Sequence, residues 1–416
     1  MPLHYLLFLL YLVFFCWLIS KINFIRNSGI PLRWLWILFL LKVVVGVFYG
    51  YIYSKNIAHA DTWKMYFISL KHTSVLTSNP TRFITSWFYE SQYSYTEPFG
   101  SGKSYWNIIK DLTLIKIEAI FNVFSFRNYY INVLFFAFAT FFGNIAFVKA
   151  YSLLFPQAKK FLIVFAAFLI PSALFWTSGL HKDGLLFMLL SIIVFQLALW
   201  MSSQKTTKKM VLNITLCLFF IFILRNYVAL SLIPAILMCI LTQRFPKQAL
   251  KINVAVVVVC CSGFFLSSYI SPSLDLPEWI VKRRIEFNSV SANTLLPYNQ
   301  LENSFQSYLY NLPQAVNHGF LRPYLWDNFG FFYIPFALEI IALIVLIIYY
   351  VFNHLPLTKS QRAIFYFGLF VFLANWLFLG YMVHIVGAII RYKSIFLPFF
   401  VAPLLLSAKL KPSIKN

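Results

Sequence analysis

Five short stretches of this sequence carry the residue types that proton transfer and phosphate binding require. Asp61 stands in His59-Ala-Asp-Thr-Trp-Lys-Met-Tyr66, and a carboxylate within hydrogen-bond reach of a hydroxyl can take its proton. The segment Thr177-Ser-Gly-Leu-His-Lys-Asp183 gathers Ser178, His181, Lys182 and Asp183, and Arg225 interrupts a long apolar run. His318 and Arg322 fall in Pro313-Gln-Ala-Val-Asn-His-Gly-Phe-Leu-Arg-Pro-Tyr-Leu-Trp326, just before Asp327. His384 and Arg391 flank Gly387 in His384-Ile-Val-Gly-Ala-Ile-Ile-Arg-Tyr-Lys393, where the small residue would let a backbone or a ligand approach closely. Arg presents a planar fork of donors to phosphate oxygens, and its charge stabilises a departing diphosphate. Lys182, Arg225, Arg322 and Arg391 are therefore candidates to hold a diphosphate, and Asp61 is the candidate general base. His181, Asp183, His318 and His384 are candidate substrate contacts.

Each of these residues also has an ordinary structural role open to it. Asp61 can be a solvated loop residue, or cap a helix that starts at Thr62. Asp183 or Ser178 can cap the helix after the 177–183 turn, and the arginines can snorkel to phospholipid headgroups. His59 reads as a polar loop residue. A Ser–His–Asp hydrolase is not indicated, because adjacency in sequence is not triad geometry. The sequence has no HExxH, no CxxC pair, no Walker loop and no GxGxxG, so zincin, zinc-ribbon and nucleotide-hydrolase readings lack their residues.

The elements that must position these groups are membrane spans. A chain of 416 residues, 61% hydrophobic and 11% charged, is not composed like a soluble globule. Apolar runs are expected as spans near 5–20, 34–53, 129–152, 160–176, 184–201, 210–224, 227–242, 252–271, 331–353, 363–383 and 393–408. The polar segments between them alternate in charge. One set carries seventeen Lys and Arg and no carboxylate; the other carries all the acids except Glu339. Cytoplasmic loops retain Lys and Arg, so the expectation is an all-α, polytopic membrane protein of about eleven spans. Its N-terminus lies outside and its C-terminus inside.

Residues 1–416 read as a single integral-membrane domain with two long exoplasmic loops, about 54–128 and 272–330. The first loop is expected to end in an interfacial helix near 105–124. Asn107, Lys110, Asp111, Glu118 and Asn122 share one face of it, with Lys116 off that face. Loops of this length in a compact protein are usually functional. The first apolar stretch lacks a basic n-region and reads as a retained helix. All five Cys fall within expected spans, so no exoplasmic disulfide framework is expected. The +22 net charge divides into +17 in the cytoplasmic loops and +5 outside. No basic, aromatic-studded soluble face emerges from it, and nucleic acid is not an expected partner.

The order of these features resembles known membrane glycosyltransferases. A span followed by an exoplasmic Asp61-Thr-x-x-x-Tyr66 segment and an interfacial helix resembles the first loop of GT-C-type enzymes. Pro171-Ser-x-x-Phe-Trp-x-Ser-Gly-x-x-Lys-Asp183, Phe320-Leu-Arg-Pro323 and Gly387-x-x-x-Arg391-Tyr look like bacterial envelope polysaccharide polymerases. The resemblance implies Asp61 at the position of the catalytic base, with Arg322 and Arg391 at diphosphate-binding positions. It implies a polyprenyl-diphosphate-linked glycan and membrane lipid as ligands, and a bacterial inner-membrane location. Other envelope-glycan assembly proteins are candidate partners. GT-C enzymes that depend on metal often pair acids in the first loop, and no second acid stands near Asp61. A metal-free mechanism without cofactor is therefore favoured, with a divalent metal left open. The rival reading is a transporter or flippase of the same lipids, which would want charge deep in spans. Lys42 and Glu339 are the full charges placed there.

Overall fold

A bilayer offers no partner for backbone N–H and C=O groups, so a spanning chain must satisfy them within helices. The computed structural model is accordingly helical in every regular element it describes. It describes residues 3–55, 60–87, 105–271, 274–290, 292–327 and 329–409, without the side chains of residues 106 and 107. His59 and the Asn107 side chain lie outside the described residues.

The chain opens with α1 (Leu3–Lys21), α2 (Asn23–Arg26) and α3 (Leu32–Ser54), followed by α4 (Asp61–Ser78), α5 (Pro80–Thr85) and α6 (Tyr105–Phe124). Next come α7 (Tyr129–Leu154), α8 (Lys160–Phe168), α9 (Pro171–Ser178), α10 (Lys182–Ser203), α11 (Lys208–Leu224) and α12 (Asn226–Arg244). Then follow α13 (Ala249–Phe265), α14 (Ser267–Ile270), α15 (Leu276–Asn288) and α16 (Phe305–Val316). A π-helical turn, Asn317–Leu321, leads on to α17 (Ile334–Phe352), α18 (Lys359–Met382), α19 (Val386–Ser394) and α20 (Leu397–Ser407). Local chemistry sets several starts. Thr358 and Gln361 form a reciprocal capping box at α18, and Asp275 and Ser304 cap α15 and α16.

Among the described residues eight helical segments are long and apolar enough to cross a membrane, α13 being counted with the 3₁₀ turn Pro246–Gln248 that runs into it. The number reaches ten if the bent pairs α8–α9 (52°) and α19–α20 (58°) each count as one span. The eleventh expected span corresponds to α11. Its 17 residues cover about 25 Å at 1.5 Å per residue, less than a hydrocarbon core of roughly 30 Å. Arg225 is extended between α11 and α12, which divides the apolar run at 210–242 where the sequence placed a break.

The packing divides into two compact units. One comprises Met1–Ala150, Leu174–Gln196 and Thr206–Ala229; the other comprises Tyr151–Ala173, Leu197–Lys205 and Leu230–Asn416. In the first, aromatic contacts knit α1, α3 and α7 together. Phe15 stacks on Phe138 and meets Phe135 edge-on, and Phe39 meets Phe141 edge-on. In the second, α18 is buried along Phe367, Phe372 and Trp376 and packs against α16 and α20.

Helix α6 forms where expected, but only the Lys110–Asp111 end of its polar face is partly exposed. Glu118 and Asn122 farther along that face are buried, as is Lys116 off it. The Asn122 amide nitrogen donates to Ser69 Oγ at 2.8 Å and Thr73 Oγ1 at 3.1 Å on α4, and its oxygen accepts from Asn132 on α7 at 2.7 Å. Lys116 donates to Ser86 Oγ and to the Phe83 carbonyl. The amphipathic pattern therefore marks a polar seam between helices, because α4 supplies hydroxyls that complement it.

Candidate functional site

In the first unit the 177–183 segment is the reversal between α9 and α10, and all of it is buried. Several contacts fix its backbone. From α3, Lys42 Nζ donates to the Thr177 carbonyl at 3.2 Å. Gly46 lets α3 come close, since a Cβ there would lie 2.6 Å from the Ser178 carbonyl oxygen. From the first turn of α4, Thr62 Oγ1 donates to the Leu180 carbonyl at 2.8 Å and lies 2.8 Å from the Tyr129 hydroxyl. Asp61 is the first residue of α4, exposed, with Ala60 rather than Asp61 in the capping position.

The side chains of this reversal pair with one another. Asp183 Oδ2 is 2.9 Å from His181 Nδ1, and Asp183 Oδ1 is 2.5 Å from Arg225 Nη2. The other arm of Arg225 donates to the Tyr227 hydroxyl at 2.9 Å. Lys182 Nζ meets Asp111 Oδ1 of α6 at 2.8 Å. Both expected phosphate-binding cations of this unit thus have carboxylate partners. Asp183 does not cap α10 but sits between an imidazole and a guanidinium. The Ser178 hydroxyl is buried without a hydrogen bond among the described residues, so no Ser–His–Asp relay forms.

A further group of basic residues lies in the second unit. Asn317–Leu321 carries His318 into a buried position, and Arg322 follows it. The Arg322 side chain pairs with Asp327, its guanidinium lies 4.5 Å from the Tyr324 ring centroid, and its carbonyl accepts from Lys393 Nζ at 2.6 Å. Arg284 of α15 is buried and donates to the Tyr381 carbonyl at 3.0 Å and to Gln314 Oε1 at 3.1 Å. The Tyr298 ring lies between it and His384, 5.3 Å from the Arg284 guanidinium carbon and 4.7 Å from the His384 ring.

Burial, then the charges of Arg322, Arg284 and His384, hold His318 down at about 4, so it is neutral at physiological pH. Burial and Arg284 lower His384 as well. Arg322 Nε and His384 Nδ1 are buried with no hydrogen-bond partner among the described residues. An anion fits this environment, because it would accept from the Arg322 Nε–H and offset the positive charge that Arg284 and Arg322 place beside the two imidazoles.

Arg391 lies on α19, two residues before Lys393, with its guanidinium carbon 5.3 Å from the Tyr392 ring. The backbone N–H of Val386 anchors α19 to the Thr294 carbonyl at 3.0 Å. At Gly387 the neighbour is a side chain and not a backbone: the Tyr333 hydroxyl lies 3.2 Å from where a Cβ would stand.

The structure therefore brings His181, Asp183 and Arg225 together in one unit, and His318, Arg322 and His384 into electrostatic reach in the other. Arg284 and Lys393 join the second group without having been singled out. In the sequence Arg284 is not set apart from the two cations that precede it in Lys282-Arg283-Arg284. No group of three or more His, Cys, Asp or Glu that could hold a metal ion occurs among the described residues. In comparison with known proteins, the chain matches no family model, no curated protein and no solved structure.

Proposed function

We propose that this membrane protein is a glycosyl-transfer enzyme that polymerises or extends polyprenyl-diphosphate-linked glycans on the exoplasmic face of a bacterial inner membrane. The supporting observation is the group formed by Arg322, Arg284, His318 and His384, in which Arg322 Nε and His384 Nδ1 are buried without a hydrogen-bond partner among the described residues. In this reading the diphosphate of the donor lipid is held by Arg322 and Arg391, with His318 and His384 beside it. An acceptor hydroxyl attacks the anomeric carbon, and the bond from that carbon to the diphosphate oxygen breaks. The hydroxyl proton goes to a carboxylate general base. Arginine neutralises the leaving diphosphate as its charge develops. Lys182 and Arg225, already paired with Asp111 and Asp183, hold the 177–183 reversal. The eleven-span count, and with it the outer placement of these groups, rests on the charge partition of the loops.

Binding of farnesyl diphosphate, a short soluble member of the ligand class, tests this reading in detergent-purified protein. The expected result is saturable binding that weakens at least tenfold in Arg322→Ala. Equal binding of farnesol and farnesyl diphosphate would count against it.

One observation favours a transporter or flippase instead. Two candidate spans are broken. At the break between α8 and α9, Glu339 accepts from the Ser172 N–H at 2.7 Å and the Ser172 hydroxyl at 2.6 Å. Discontinuous helices whose ends hold charged groups recur in secondary transporters. Translocation of the lipid by reconstituted vesicles, without glycan transfer, would select that reading.

A further inference from the structure

Lys393 takes no direct part in the chemistry proposed for the diphosphate, yet it is buried in the last turn of α19. A basic side chain inside a membrane protein is costly and calls for partners. Its Nζ donates to the Arg322 carbonyl at 2.6 Å and lies 5.0 Å from the Trp376 ring centroid on α18. Glu339 of α17 is an acid within its electrostatic reach. Glu339 is itself fixed, because both its oxygens accept from Ser172 at the start of α9. The last turn of α19 carries the negative end of its helix dipole, which also favours a basic side chain there. All these residues belong to the second unit.

The Arg322 carbonyl ends a segment that descends along α18. A Cβ at Gly380 would collide with the Ala315 carbonyl, and one at Gly319 with the Trp376 carbonyl. Phe320 then packs against Trp376 and Phe372, with ring centroids 5.1 Å and 5.8 Å away. From Gly380 to Phe372 is about two turns of α18. Arg322 is held in three ways at the end of this descent. Its N–H donates to the Asn317 carbonyl at 3.2 Å, its carbonyl accepts from Lys393, and its guanidinium pairs with Asp327. Asn317 and Asp327 are close in sequence and move with the segment. Lys393 lies 71 positions away, on another helix. The Nε–H is the donor left over, buried with no partner among the described residues.

We propose that Lys393 is a positioning residue for the anion site. It fixes the Arg322 backbone against α19, and so the place where the Nε–H is offered to a diphosphate. The inference rests on the glycosyl-transfer reading, because the anion it serves is the donor diphosphate of that reading.

The test is farnesyl diphosphate binding by the detergent-purified full chain carrying Lys393→Met together with Glu339→Gln. The paired change removes the donor without stranding a buried carboxylate, so the unfolding midpoint should stay close to that of the wild type. Affinity should fall about tenfold through misplacement of Arg322, and the preference for farnesyl diphosphate over farnesyl monophosphate should narrow. Lys393→Gln in the same background, with a side chain too short to reach the Arg322 carbonyl, gives the same reading should the methionine variant not fold. Wild-type affinity in the folded variant, while Arg322→Ala binds weakly, would overturn this inference alone. So would a lowered midpoint with an unchanged preference, which would make Lys393 a structural residue only. A wild-type chain that binds no farnesyl diphosphate would overturn the glycosyl-transfer reading, and the positioning role with it.

Discussion

Arg225 Nη2 lies 2.5 Å from Asp183 Oδ1, and both side chains are buried. The two residues stand 42 positions apart, and His181 occupies the other oxygen of the same carboxylate. A cation that the loop-charge pattern flags as out of place is thus explained within its own unit, by a partner the pattern cannot display. The pair joins the end of α11 to the start of α10 and holds the 177–183 reversal from a second side.

Breaking one half of such a pair strands the other charge in a low-dielectric interior, which typically costs about 3–5 kcal/mol. Arg225→Ala and Asp183→Asn should each lower the unfolding midpoint strongly. The double variant should lose clearly less than the sum of the two. Additive losses in a double-mutant cycle would show that the two side chains do not interact.

Gly46 should tolerate no side chain. A Cβ there would lie 2.6 Å from the Ser178 carbonyl and 2.8 Å from Val133 Cγ1, so Gly46→Ala must push the reversal away from α3. Overpacking of this kind costs about 1–3 kcal/mol. The expected outcome is reduced stability in detergent, with Gly46→Val worse than Gly46→Ala. Wild-type stability of Gly46→Val would contradict the packing described.

His318 supplies a pH dependence whose sign follows from its surroundings. It is held at about 4 in the folded chain, against about 6.5 when unfolded. Between those values the unfolded chain binds a proton that the folded chain refuses. Stability is therefore full above about pH 6.5 and falls as the pH drops toward 4. His384, lowered for related reasons, acts in the same direction. His318→Asn should flatten the slope. A diphosphate beside His318 would raise its proton affinity, so binding near pH 5 should be accompanied by proton uptake, measurable by titration in buffers of different ionisation enthalpy.

Much of this was legible in the sequence. The apolar runs, the reversal at 177–183, the break at Arg225 and the start of a helix beside Thr62 all follow from local composition. Other features were not. Hydrophobic periodicity over 105–124 reveals that α6 has a polar face, but not that Ser69 and Thr73 of α4 cover it. The bends before Pro171 and near Pro398 turn two expected straight spans into broken ones, since Pro removes a backbone donor. Arg284 looks in sequence like the two cations that precede it, and its contacts with Tyr381 and Gln314 are what distinguish it.

If Arg322 holds the leaving diphosphate, its loss should be felt in turnover. Arg322→Ala and Arg391→Ala should each reduce product yield on the order of a hundredfold, the scale of removing one donor to a developing negative charge. Arg322→Lys should restore little, because a point charge does not replace a planar fork. Unchanged chain length and yield in cells carrying either alanine variant would remove these two arginines from the mechanism.

The most direct test is incubation of the purified protein with undecaprenyl-diphosphate oligosaccharide, with and without a chelator, followed by gel separation. The account predicts a ladder of longer glycans with release of the lipid diphosphate, unchanged by chelator and lost in Arg322→Ala. No ladder, while reconstituted vesicles carry the same lipid across the bilayer, would contradict it.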